Sequence, residues 1–387
     1  MARTFSRSLC LFLGLVMGLM QGCSTVKSPA PEPVPTPRVI PARPAGPEVS
    51  KGTLVKVGLL LPLSGEQAAL GKAMLQSAQL SLMSSTADAL ELLVEDTKGT
   101  KEGGREAAQR ALAGGARLIL GPVFSDAVIG AGEVARAAQV PLVSFSNNQA
   151  VAKPGVYIVG FDPGAQLERV LRFAAKKGLT RVATYVPKDA NADLADRIVK
   201  ALVQERVITS TGVVTYEPQN PGLVTRKPGV GTQAVLIPEG GQNLVRVVEA
   251  LLYHDTSFDQ YKLLGSGQWD GPAAKARHEI RGGWFAAPVP SARTDFETRF
   301  RNTFGYVPPR LSTLSYDAVS LARALVLRFK GQAFTAQHLE TPQGFLGIDG
   351  PVRLRANGVS ERAMAVLEVT PTGFEVIDPA PRLFEKE

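Results

Sequence analysis

Cysteine and histidine are scarce in this sequence. Among 387 residues the only cysteines are Cys10 and Cys23, so loss of an N-terminal leader containing Cys10 leaves one thiol and no internal disulfide. His254, His278 and His338 are far apart and none belongs to an HExxH pair or a compact Cys/His cluster, which leaves no zinc motif. No GxSxG elbow is present for a serine nucleophile. Aromatics make up 6%, and Lys and Arg are scattered without an aromatic-interleaved basic stripe, which argues against nucleic-acid binding. No apolar run reaches the roughly 20 residues of a bilayer-crossing helix. Gly65 to Ala73 follows a strand-like run and opens a helix, as a phosphate loop would. However, five residues rather than four separate its glycines, and Ala73 lacks the hydroxyl that would hold magnesium, so Lys72 reads as a solvated helix residue. Acidic pairs such as Asp88 with Glu91, or Glu95 with Asp96, fit a solvated surface. The expectation is a protein that is not an enzyme and carries no metal or cofactor.

The N-terminus carries an address. Arg3 and Arg7 precede an apolar run from Leu9 to Met20, the pattern of a secretory signal over residues 1–22. Leu19-Met20-Gln21-Gly22-Cys23 resembles the lipobox of bacterial lipoproteins, with Met20 where Leu is usual, and marks Cys23 as the lipidated residue. Ser24 in place of Asp implies outer-membrane sorting in a Gram-negative source, giving a periplasm-facing lipoprotein anchored to the membrane. Loss of the two signal arginines lowers the net charge from +8 to +6, a modest value suited to general attraction to anionic envelope surfaces. Eight prolines between Ser28 and Pro47 make residues 23–52 a semi-rigid polyproline II tether. At about 3.1 Å per residue it would hold a folded body roughly 60 Å from the lipid.

From Leu54 the chain alternates strand and helix. Val55 to Leu61 is a near-continuous apolar run, as in a strand buried on both faces of a parallel sheet. Ser64-Gly65-Glu66-Gln67 reads as a capping box, and Leu70, Met74, Ala78 and Leu82 follow on one helical face. The rhythm continues with strands at 91–95, 117–120 and 141–144 between helices at 105–113 and 126–138. A second series places helices at 166–177, 194–205 and 243–253 and strands at 182–186, 212–216, 234–237 and 261–264. Residues 217–232 join two of these strands with three prolines, three glycines and no helical period, so an irregular or mobile surface loop is expected. Helices at 294–304 and 313–329 precede β-like pieces at 345–348, 363–369 and 374–377. This length exceeds one ordinary α/β core and suggests two lobes, with a cleft between them as the default binding site.

Three stretches, VGLLLPLSGEQAALGKAMLQSAQLSL from Val57, LILGPVFSDAVIGAGEVARAAQVPLVSFSNN from Leu118 and Ser315-Tyr316-Asp317-Ala318-Val319, resemble the leucine-binding family of type 1 periplasmic binding proteins. The resemblance spans most of residues 54–378. It implies an α/β fold of two Rossmann-like doubly wound lobes joined by a multi-strand hinge: lobe 1 at 53–160 and 288–343, lobe 2 at 161–287 and 344–378, and a tail at 379–387. Ser125 starts a helix after a strand, where its hydroxyl and free backbone N–H groups suit an anion. Ser146, Asn147 and Asn148 leave the next strand at the usual crevice position. By resemblance Ser125, Ser146 and Asn148 fall where the family grips its ligand's carboxylate and amino group; otherwise they are helix caps and turn formers. The second lobe departs from the pattern. Asp189-Ala190-Asn191 replaces a Tyr-Gly pair, and Gly267 stands where amino-acid receptors carry the carboxylate that pairs with the ligand's ammonium, leaving Asp270 or Glu239 as substitutes.

LLGSGQWDGP from Leu263, the segment Gly282 to Pro288 and the ending GFEVIDPAP look like the penicillin-binding protein activators, outer-membrane lipoproteins that stimulate peptidoglycan synthases by direct contact. Trp269 and Trp284 are the only tryptophans and fit a core or cleft position as well as an interface. Two functions follow: a regulator of peptidoglycan synthesis with a synthase as partner, or the substrate-binding receptor of an ABC importer, with a permease as partner and a small amino-acid-like ligand. Cys23→Ser is expected to leave the fold intact and the protein unlipidated; acyl labelling and membrane fractionation check this, and a mutant still labelled and membrane-bound overturns the anchor assignment.

Overall fold

A computed structural model of the chain describes residues 54–85, 89–224, 226–254 and 257–384. The signal, Cys23, the tether and Asp88 lie outside the described residues. The first lobe is built from β1 (Val55–Leu61), α1 (Ala68–Met83), β2 (Leu90–Asp96), α2 (Lys101–Ala113), β3 (Ile119–Leu120), α3 (Ser125–Ala137), β4 (Leu142–Ser144) and β5 (Val156–Ile158). Its strands are all parallel, in the order β2-β1-β3-β4-β5. The apolar run in β1 follows from this position. Val57, Leu59 and Leu61 face a core shared with Met74 and Ala78 of α1, while Leu60 faces the opposite core with Ala107 of α2 and Val128 of α3.

The second lobe repeats the plan with α4 (Pro163–Lys176), β6 (Arg181–Pro187), α5 (Ala190–Gln204), β7 (Thr209–Tyr216), β8 (Ala234–Leu236), α6 (Gly241–Tyr253), β9 (Lys262–Gly265), α7 (Pro272–Ala276) and β10 (Trp284–Ala287). The chain then returns through α8 (Pro290–Phe304), α9 (Ser312–Phe329) and α10 (Ala336–Leu339) to β11 (Phe345–Gly347), β12 (Gly350–Leu354) and β13 (Ser360–Arg362). It ends with β14 (Ala365–Thr370) and β15 (Gly373–Asp378). The second sheet runs β15-β14-β10-β9-β8-β6-β7; β6 to β10 are parallel, and β14 and β15 close one edge antiparallel. Strand order within β6 to β10 matches that of the first lobe, so each sheet has a switch point between its first and third strands.

Three crossings link the lobes, at 159–162, 288–289 and 363–364. The expected boundary at residue 344 shifts: Phe345 and Leu354 pack in the core of α1 and α9, so β11 to β13 belong with the first lobe, and only β14 and β15 return to the second. The reason is that β11 to β13 form a small sheet of their own, whose apolar side faces α9 and whose β13 end meets β5 of the first sheet through the Ile158–Val359 bridge.

Two local expectations change. Gln67, not Ser64, precedes α1, and its side chain makes no cap. Ser64 instead bonds Asp96, whose carboxyl is raised by burial but lowered more by hydrogen bonds from Ser64 and the backbone N–H groups of Lys98 and Leu63, for a net fall. Residues 217–232 contain a 3-10 turn at Pro221–Leu223 and bury Val224 in the second-lobe core, while Tyr185 donates to the Arg226 carbonyl at 2.8 Å. Irregular backbone is thus pinned at two points.

Trp269 is fully buried in the second-lobe core, its Nε1 donating to the Ile237 carbonyl at 3.0 Å. Its ring lies over Gly265 so closely that a Cβ there would stand 2.2 Å from the indole carbons. Gly265→Ala must therefore displace the tryptophan. Urea unfolding is expected to show a loss of about 2–4 kcal/mol, in the range of overpacked cores or worse; a loss under about 0.5 kcal/mol would contradict this packing.

Candidate functional site

The carboxyl ends of β3 and β4 bring together residues that are more than twenty positions apart. Ser125 opens α3, where the helix offers unpaired N–H groups. The Oγ atoms of Ser125 and Ser146 are 3.4 Å apart, and Asn148 Nδ2 donates to Ser125 Oγ at 3.2 Å. The Asn148 N–H donates to Ser146 Oγ at 3.2 Å, and the Ser146 N–H to Ser144 Oγ at 3.0 Å. Asn148 also caps the following 3-10 turn by accepting from the Ala150 N–H at 3.0 Å. Capping and clustering therefore coexist in one side chain. Asn147 is exposed and is not part of the cluster. Ser146 is buried, whereas Ser125 and Asn148 are at least partly open, so the group presents hydroxyls, an amide and a helix N-terminus along one edge.

The corresponding edge of the second sheet is more acidic. Glu239 follows β8, and its buried carboxylate accepts from Asn243 Nδ2 at 2.9 Å. Burial raises its pKa, the Asn243 bond opposes this, and Asp189 adds to the rise. No cation pairs with it among the described residues. Tyr216, at the end of β7, is also buried, and its hydroxyl lacks a hydrogen-bond partner there. Gly267, the position expected to have lost a carboxylate, is filled from behind. Its N–H donates to Gln166 Oε1 at 2.9 Å, and a Cβ would come within 2.9 Å of the Gln166 side chain.

Asp270 is not free to meet a ligand. Arg293 of α8 grips it with both terminal nitrogens, Nη2 to Oδ1 at 2.8 Å and Nη1 to Oδ2, and both side chains are largely buried. Burial lowers the Arg293 pKa, but the Asp270 carboxylate, joined by the charges of Glu297 and Asp349, raises it by more, for a net rise. Arg310 extends the network, with Nη2 2.6 Å from Asp349 Oδ1, Nε 4.0 Å from Asp270 and its guanidinium 4.2 Å over the Phe161 ring. Thr313 Oγ1 donates to Asp349 at 2.6 Å. Asp270 follows a strand of the second sheet while Arg293 lies in the first turn of the first-lobe helix α8 and Arg310 follows that helix, so the network ties the lobes beside the crossings. Sequence reading named Asp270 without its partner, because Arg293 is one of several arginines in and after α8 and nothing in the linear pattern singles it out.

Neither tryptophan is an exposed anchor. Trp269 is core, and Trp284 is half-buried, packed edge-on to Phe173 at 5.0 Å with Nε1 donating to Glu368 at 2.8 Å. Lys72 is an exposed residue of α1. No group of three or more His, Cys, Asp or Glu could hold a metal among the described residues, and none of their helices is long and apolar enough to cross a membrane.

Removing Arg293 would strand the Asp270 carboxylate in the interior. Arg293→Ala is expected to lower stability by about 3–5 kcal/mol, as for other broken buried pairs, with Arg293→Lys intermediate because Lys cannot reproduce the two-pronged contact. Urea unfolding reads this, and a loss below about 1 kcal/mol would place the pair in solvent.

No curated relative matches the sequence. Among solved structures, a candidate branched-chain amino acid ABC transporter protein from Rhodospirillum rubrum is similar with a TM-score of 0.74 and 18% identity, covering 84% of this chain and 100% of that one. A branched-chain amino acid transporter substrate-binding protein from Streptococcus pneumoniae, in complex with isoleucine, has a TM-score of 0.61, 18% identity and coverage of 84% and 100%. A solute-binding protein of an ABC transporter from R. palustris, in complex with benzoate, has a TM-score of 0.59, 17% identity and coverage of 85% and 97%. These likenesses identify the two-lobed type 1 fold. The family model described as periplasmic binding protein matches residues 54–374, and the chain belongs to that family.

Proposed function

We propose that the protein is a solute-binding receptor for a small amino-acid-like ligand, held in the crevice between the lobes. The observation that carries this reading is the buried Glu239 carboxylate, which has no paired cation among the described residues. Each half of the site lies at the carboxyl edge of its sheet, where open α/β folds bind ligands. Ser125, Ser146, Asn148 and the start of α3 would receive a carboxylate; Glu239 would receive an ammonium, replacing the family carboxylate absent at Gly267. A buried acid of raised pKa gains most from a cation brought to it, because the ligand's charge offsets its desolvation. Delivery to an ABC permease is the corresponding role, in line with the transport proteins among its structural neighbours. Family and fold are those of non-catalytic solute-binding proteins.

A second reading, a lipid-anchored regulator of a peptidoglycan synthase, is favoured by the occupation of the Gly267 position by Gln166 and by the lipobox and tether ahead of the folded body. In that case a protein surface rather than the crevice does the work.

Thermal unfolding with ligand separates the two. Leucine or isoleucine at 100 times its Kd is expected to stabilise the protein by about 2.7 kcal/mol, 4-methylpentanoate and benzoate much less, and Glu239→Gln or the double change Ser125→Ala, Ser146→Ala should remove the response. If no amino acid shifts the transition and the protein instead stimulates glycan polymerisation by a purified synthase, the receptor reading fails.

A further inference from the structure

The first lobe contains a cavity that the interlobe crevice does not explain. It lies between α9, the β11-β12 hairpin and the ends of β4 and β5, with a volume of about 440 Å³, within the span of small-molecule sites. Most of its wall is aliphatic, from Val143, Val159, Leu314, Leu321, Val352 and Leu354. Leu346 of β11 lines it while 74% exposed, and so stands at the mouth.

Two charged side chains, Asp317 and Arg362, also line it. Both keep some accessible surface although protein surrounds them, as groups bordering an internal space do. Asp317 is admitted by Gly347, where a Cβ would fall 2.2 Å from its Oδ2, and both its oxygens accept from the Ile348 N–H at 2.9 and 3.0 Å. Arg362 donates to two carbonyls, Asp349 at 3.3 Å and Val159 at 2.9 Å, and to no carboxylate; its Nε has no partner among the described residues. The neighbouring carboxylates are engaged elsewhere, Asp349 by Arg310 and Thr313, and Asp270 by Arg293. Burial, reinforced by Asp349 and opposed by the Ile348 N–H and Arg362, raises the Asp317 pKa to about 7. Below that pH the carboxyl is neutral, and the carboxylate still acting on Arg362 is Asp349, which is already held by Arg310 and Thr313. A buried guanidinium in that condition is costly, and a bound anion relieves it.

We propose that this cavity is a second ligand site, separate from the interlobe crevice, for an apolar monocarboxylic acid whose chain lies against the aliphatic walls and whose carboxylate meets Arg362. Asp317 then acts as a gate on affinity. The charged groups facing it are Asp349 and Arg362, and above about pH 7 its own negative charge repels the ligand's. Because Arg362 bonds the Val159 carbonyl at one crossing and immediately precedes another, the occupied site abuts the hinge.

The test is calorimetric titration of decanoate into the full chain carrying Cys23→Ser, which excludes the anchor's acyl chains. Saturable one-to-one binding is expected at pH 6, at least tenfold tighter than that of 1-decanol and several-fold weaker at pH 8. Ala324→Trp at the exposed rim and Leu321→Trp in the wall should each abolish it, with Ala324→Trp leaving the unfolding transition unchanged; Ser125→Ala should not affect it. No decanoate binding, equal binding of 1-decanol, or binding that survives Ala324→Trp and Leu321→Trp overturns the proposal. Failure of the amino-acid response in the crevice would not bear on it, since the two sites share no residue.

Discussion

Asp270 and Arg293 come from opposite lobes and are both largely withdrawn from water, so neither lobe can hold its charge in the interior without the other. This constraint organises the junction. Arg310 bridges from Asp270 to Asp349 while stacking on Phe161 in the first crossing, and Arg362 at the third crossing bonds the Asp349 and Val159 carbonyls. Buried ion pairs contribute little net stability compared with apolar packing, but a misaligned one is penalised heavily, which makes them effective at fixing register. Here they would fix the register of two sheets that share no strand and meet through three short crossings.

The same constraint decides what chemistry is left for ligands. With Asp270 neutralised by Arg293 and Gly267 backed by Gln166, Glu239 at the carboxyl edge of the second sheet remains without a paired cation among the described residues. With Asp349 held by Arg310, the guanidinium of Arg362 hydrogen-bonds carbonyls and no carboxylate among the described residues. One network thus leaves a residual negative group at the crevice edge of the second sheet and a residual positive group in the first-lobe cavity. Their opposite signs suit different ligands, a cation-bearing amino acid at the first and an apolar anion at the second.

Much of the fold was legible in the sequence because parallel sheets impose a strong pattern. The run through β1 is apolar since both faces are covered, and Leu70, Met74, Ala78 and Leu82 of α1 repeat at helical spacing because that face packs on the core. Strands β5, β10, β12 and β13 were not anticipated. β12 and β13 belong to a small sheet whose apolar residues serve α9, outside the alternating strand-helix pattern of the two large sheets. Propensity also misled at Ser64, whose hydroxyl serves Asp96 on a neighbouring strand rather than its own helix.

At the site, the sequence by itself determined that Ser125, Ser146 and Asn148 stand where strands end and turns begin, because the strand-to-helix transition is a local event. It also determined that Gly267 lacks a carboxylate. Only the tertiary structure decided which acids remain available, since pairing depends on partners such as Arg293, Arg310 and Gln166 that lie 23 to 101 residues away. The cavity beneath β11 was equally invisible, because its walls come from five separate stretches of chain and its two charged residues acquire their meaning from burial, which no linear pattern records.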